Sequence, residues 1–303
     1  MKRLYTLIFL VFKLSPFFAQ QPFDTLDLIK IKKMLFIENV KKSAFKEFGF
    51  ELKGSFYSKS KESSDPYLLM YISKPDTVMC APNTGGMDKG LPYAYVKDET
   101  DFNIFSGIQT GMGMQAFLYK GYANATTEIN PRFFSYDDPA KCFIIYHELL
   151  HNYVSQTNLK IPYEIHEALC DVVGNYGALR YAQNYLGMNI SETLMEIEIC
   201  EKVYECVNES LLAITPRNQN IASEHKACYN KIQAALKPAG IFQLDRFSYT
   251  VNNGYLLKNS NYSRHYFLLK RVLQKQGSII KLLEIIKANS GKNDYLLYLE
   301  QFT

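Results

Sequence analysis

Residues 141–156 contain the arrangement that most constrains this chain, Tyr146-His147-Glu148-Leu149-Leu150-His151. Taken as a helix, it sets His147 and His151 one turn apart on one face. Two imidazoles so placed can present nitrogens to a single metal ion. Glu148, one residue beyond the first histidine, can reach a water on that ion without ligating it. Such a helix needs more from its chain: a third ligand, a donor for developing negative charge, a ledge for substrate and a core.

A core is within reach, because 47% of the 303 residues are apolar and the chain can form one large domain or two small ones. Residues 1–20 have the pattern of a secretory signal, with Lys2 and Arg3 ahead of the short apolar run 4–12 and Ala19 near a cleavage point. Removing them takes away three basic and no acidic residues, so the formal charge falls from +4 towards neutrality. A near-neutral chain gives no electrostatic ground for a nucleic-acid partner or an anionic membrane. No later segment reads as a membrane span. Export, periplasmic or secreted, is therefore expected. It would permit disulfides among Cys80, Cys142, Cys170, Cys200, Cys206 and Cys228. The absence of a C-x-x-C pair argues against a cysteine zinc site.

The pattern predicts an α+β fold: a mixed N-terminal part and a mainly helical C-terminal part. Helices are expected over 24–48, about 139–156 and about 162–185, then from 191 to about 212 and over 222–236, 262–276, 278–288 and 294–302. Strands are expected over 50–57, 67–72, 93–96, 111–121 and 242–251, with only polar turns between 96 and 111. The Pro- and Gly-rich stretch 74–92 reads as a loop or linker. The resulting division is 1–20 signal, 21–92 an N-terminal region and 93–303 the catalytic part. The glycine-containing run 111–119 is a candidate edge for an extended peptide, or an ordinary core strand.

A catalytic zinc usually takes three protein ligands plus water. The extended metzincin pattern would need Gly at 154 and His at 157, where this chain has Val154 and Thr157. A glutamate on the following helix is the alternative, and Glu164 and Glu167 are the candidates. Asp171 lies one turn beyond Glu167 and can accept a hydrogen bond from a metal-bound histidine. Glu167 is thus expected as third ligand, and Asp171 as the partner of His147 or His151. His166 is expected to point away from the metal, and His225 to face solvent.

The set His147-Glu148-Leu149-Leu150-His151, a gap, then Glu167-Ala168-Leu169-Cys170-Asp171 resembles the gluzincin, or peptidase MA-like, metallopeptidases. Pro162 to Glu167 keeps the spacing of their Pro-x-Trp-x-x-Glu-Gly stretch, with Glu164 at the Trp position and Ala168 at the Gly. The stretch from Ser260 to Leu269 resembles the helix of aminopeptidase-like members that carries a transition-state tyrosine, and Tyr262 matches that residue. The resemblance implies a zincin-like fold, Zn2+ on His147, His151 and Glu167, and Glu148 as general base towards a zinc-activated water. It implies peptide or protein substrates and Tyr262 as oxyanion donor, with His225, His265 and Tyr266 open alternatives. A catalytically inactive zinc-binding envelope or scaffold protein on the same fold is the rival reading. If both helices converge on the metal, Cys142 and Cys170 are a candidate disulfide.

Overall fold

The structure is a computed structural model that describes residues 25–49, 56–60, 63–80, 91–123, 128–185, 188–215, 220–237, 250–292 and 294–303. The expected signal, most of strand 50–57, the tip of the 74–92 loop and most of strand 242–251 lie outside these residues. Packing divides the chain after Glu38. Helix α1, Thr25–Phe48, passes through the division, and everything else described here belongs to the unit from Asn39 onward.

That unit is α+β and mainly helical. Strands β1, Lys59–Ser60, and β5, Glu128–Ile129, pair in parallel. A three-stranded antiparallel sheet has the order β3-β2-β4, from Ala94–Val96, Tyr67–Ser73 and Gln115–Gly121. The central strand, β2, is buried from Leu68 to Ser73. Helix α2, Glu99–Gly111, occupies a stretch where the sequence pattern suggests only turns. It starts where Asp98 accepts from the Asp101 backbone N–H, and none of its residues is buried. Its apolar residues Ile104, Phe105 and Ile108 are exposed, and Gly107 and Gly111 lower its intrinsic helix propensity. Gly113, at φ +78°, turns the chain from α2 into β4, so neither Gly111 nor Gly113 lies in the strand.

The helices that follow are α3 (Asp138–Gln156), α4 (Tyr163–Asn184), α5 (Ile190–Ala213), α6 (Ile221–Leu236), α7 (Asn253–Ser263), α8 (Tyr266–Gln276), α9 (Ile279–Ala288) and α10 (Tyr295–Glu300). Asp137 caps α3 by accepting from the Ala140 N–H, and a proline sits in its first turn. Asn189 caps α5 by accepting from the Ser191 and Glu192 N–H groups. The expected helix 262–276 is two helices: α7 ends at Ser263 and α8 begins at Tyr266. Tyr262 therefore closes one helix instead of opening the next.

Helices α3 and α4 run antiparallel and very close. Gly174 and Gly177 on α4 make room for the Phe143 and Tyr146 rings of α3; a Cβ on Gly177 would stand 2.1 Å from the Tyr146 ring. Tyr146 is fully buried and donates to Ser43 Oγ at 3.0 Å. Its ring cannot swing aside without breaking that bond. Alanine ordinarily stabilises a helix interior relative to glycine. Here Gly177→Ala is expected instead to lower unfolding stability by about 1–3 kcal/mol through overpacking, as measured by denaturant titration; equal or higher stability would show that the two helices separate freely.

Helix α7 packs on the sheet. A Cβ on Gly254 would lie 2.9 Å from Phe117 atoms and 3.1 Å from the Tyr71 carbonyl oxygen. Asn252 donates to the Ala116 carbonyl at 2.9 Å, and the Asn253 N–H donates to Gln115 Oε1 at 2.7 Å. The start of α7 is thus fastened to the start of edge strand β4.

Candidate metal centre

Because α3 and α4 are antiparallel and close, each turn of one faces a turn of the other. His147 faces Asp171, and His151 faces Glu167, Cys170 and His166. The two Nε2 atoms of His147 and His151 are 3.1 Å apart. Glu167 Oε2 lies 3.7 Å from the first and 3.8 Å from the second. Zinc bonds of ~2.0–2.1 Å at tetrahedral angles separate ligand atoms by about 3.3 Å. The three atoms thus match the triangle that one such ion requires, within small side-chain adjustments.

A second donor approaches the histidines. His147, His151 and Cys170 form a buried group that could hold a metal ion. Cys170 Sγ, however, lies 3.6 Å from His151 Nδ1, on the edge of the ring away from His147. One imidazole cannot direct both nitrogens at the same ion, so an ion on the paired Nε2 atoms meets Glu167 before Cys170.

Both rings are oriented from behind. Asp171 Oδ1, fully buried, stands 2.8 Å from His147 Nδ1, and a carboxylate so close favours the tautomer with the proton on Nδ1 and the lone pair on Nε2. The Tyr204 hydroxyl of α5 donates to the other oxygen, Asp171 Oδ2. His151 Nδ1 faces His166 Nε2 at 3.2 Å. His166 does lie away from the Nε2 atoms, but it is a partner of His151 rather than a bystander. Burial and the neighbouring His147 hold His151 down to about 3, and burial with His151 does the same to His166, also to about 3. Both rings are therefore neutral, and His151 can donate from Nδ1 to His166. For His147, burial opposes the charge, but Asp171, Glu148 and Glu167 together outweigh it and raise the pKa.

His166→Ala removes the partner of His151 and is expected to weaken metal binding about 10–100-fold, by competition with a chromophoric chelator. Unchanged affinity would refute the positioning. The same variant bears on acid stability without metal. A histidine whose folded pKa is depressed stabilises above its unfolded value, near 6.5, and that contribution is lost as pH falls towards 3. Without its His166 share, metal-free His166→Ala should lose less stability than wild type over that window, measured by melting temperature against pH.

Glu148 is buried beside the histidines, and burial pushes its carboxyl up to about 7. His147 pulls in the opposite direction, while Glu167 and Asp171 add to the rise. Glu167 is likewise raised by burial, with His147, His166 and a hydrogen bond from Tyr163 working against that rise. Tyr163 opens α4; its ring centre lies 6.2 Å from that of Tyr93, which in turn lies 5.5 Å from that of Tyr71 of β2. Sequence reasoning missed this phenol cluster, since three tyrosines so far apart in the chain carry no shared spacing. The one local signal was Tyr163, one turn before Glu167 on the same helix.

Tyr262 reaches the centre from α7. Its ring lies 6.3 Å from that of His147 and is inclined by 25°, and burial raises its pKa well above 10. Two of the alternative donors are engaged elsewhere. His225 Nε2 pairs with Asn253 Oδ1 at 2.7 Å. Tyr266 accepts from Asn175 at 2.8 Å and donates to Glu201 at 3.1 Å. His265 precedes α8 with its pKa lowered by burial, and no hydrogen bond ties it to the histidine pair.

All six cysteines are free, so the Cys142–Cys170 disulfide does not form. The antiparallel register explains this. Cys142 is in the first turns of α3, near Tyr181 towards the end of α4, whereas Cys170 is level with His151. No helix among the described residues is long and apolar enough to cross a membrane. Comparison with protein-family models, with curated proteins and with solved structures returned no match.

Proposed function

We propose that this chain is an exported zinc-dependent metallopeptidase of the gluzincin type, built on a zincin-like catalytic part. The observation that carries the reading is the convergence of His147 Nε2, His151 Nε2 and Glu167 Oε2 within 3.8 Å, with buried Glu148 beside them. A zinc ion on those three atoms would supply a Lewis acid for the scissile carbonyl and for water.

The remaining work belongs to the protein's own side chains. Glu148 takes a proton from the attacking water and returns one to the leaving amine. A carboxyl held near 7 can both accept and release a proton around neutrality, which favours that role. Tyr262 stays protonated and donates from its phenol to the oxygen that gains charge. Asp171 and His166 keep the two imidazoles in the tautomers that present Nε2. Tyr163, one turn before Glu167 on α4, favours its ionised form. The pattern of residues 1–20 supports export.

The zinc-loaded protein should cleave members of a generic peptide library, and a chelator should stop the cleavage. A stoichiometrically zinc-loaded protein that cleaves nothing would leave the inactive zinc-binding reading in its place.

A further inference from the structure

One buried charge beside the site has no part in the chemistry above. Lys258 of α7 is 2% exposed. Burying an ammonium is costly unless other groups compensate. Its Nζ donates to Asn259 Oδ1 at 3.2 Å. It also lies 4.5 Å from the ring centre of Tyr119 and 4.6 Å from that of Tyr262. Lys258 and Tyr262 are four residues apart, neighbours on one helix face. Tyr119 comes from β4, the edge strand to which the start of α7 is fastened.

A cation over an aromatic face is attracted by the ring quadrupole, more strongly where water is excluded. The attraction depends on the ring presenting its face, so it resists rotation of the side chain. Tyr262 is the ring that lies nearly parallel to His147. A single buried ammonium thus links the edge strand, helix α7 and the tyrosine that abuts the first histidine.

We propose that Lys258 is a positioning residue: its ammonium, set on the rings of Tyr119 and Tyr262, holds the Tyr262 phenol against the His147 side of the metal centre. The inference rests on Tyr262 being the oxyanion donor of the proposed peptidase. Charge is the property it uses, since an apolar side chain of similar length would fill the space without directing the ring.

The test compares Lys258→Met and Lys258→Arg in the zinc-loaded full chain, alone and combined with Tyr262→Phe. Lys258→Met is expected to lower kcat about tenfold, with KM and zinc stoichiometry unchanged, and Lys258→Arg to restore most of the loss. In the Tyr262→Phe background, Lys258→Met should cost nothing further. An equal loss in both backgrounds, or no rescue by arginine, overturns the proposal. A crystal structure of Lys258→Met reads the same question without activity: the Tyr262 ring should leave its place beside His147, and a ring that stays overturns the inference. If the wild-type zinc protein cleaves no peptide, the peptidase reading fails by itself, and the position of the ring still decides the role of Lys258.

Discussion

Glu148→Gln is expected to bind zinc as the wild type does and to lose about 10²–10⁴-fold in kcat. The amide keeps the shape of the carboxylate and cannot take a proton. Nothing in the geometry makes Glu148 a ligand: the triangle is closed by two Nε2 atoms and Glu167 Oε2. Metal stoichiometry and steady-state kinetics on one preparation separate the two effects. Activity retained in the glutamine variant would remove Glu148 as base. Loss of zinc together with activity would show that the carboxylate belongs to the ligand set.

The second large effect distinguishes Glu167 from Cys170. Glu167→Ala is expected to weaken zinc binding by at least about 100-fold, more than the loss of an outer partner does. Cys170→Ser should change the affinity little, because its sulfur faces the Nδ1 edge of His151. Cobalt gives an independent reading of the same point. A cobalt-loaded wild type should show no thiolate-to-metal charge-transfer band, and Cys170→Ser should have the same spectrum. A strong band that vanishes in the serine variant would make Cys170 the third ligand and favour the closed, non-catalytic site. The donor sets differ in consequence as well as in identity, since a carboxylate on the Nε2 side leaves Glu148 next to the open position.

Sequence and tertiary structure divided the information along a physical line. What depends on nearest neighbours was legible. The Asp137 cap and the proline behind it set the start of α3, and the 3.6-residue period then put His147 and His151 on one face with Glu148 beside them. Pro162 marked the start of α4, and that same period put Glu167 one turn from Asp171. Where local signals were weak the reading failed: Gly107 and Gly111 dilute the helix pattern of α2, and no glycine or proline separates Tyr262 from the helix that follows it.

Other features were decided only by packing. Which histidine takes Asp171 depends on the antiparallel register of α3 and α4, set by the small residues Gly174 and Gly177 at their contact. The same register moves Cys142 away from Cys170 and sets His166 behind His151. Tyr204, Tyr163, Tyr71 and Lys258 arrive from four different elements, and no spacing within one segment encodes their meeting. The sequence alone thus determined two histidines, a glutamate and the kind of residue that had to join them. The tertiary structure decided which atoms face one another, because that is a matter of how closely two helices approach and at what height.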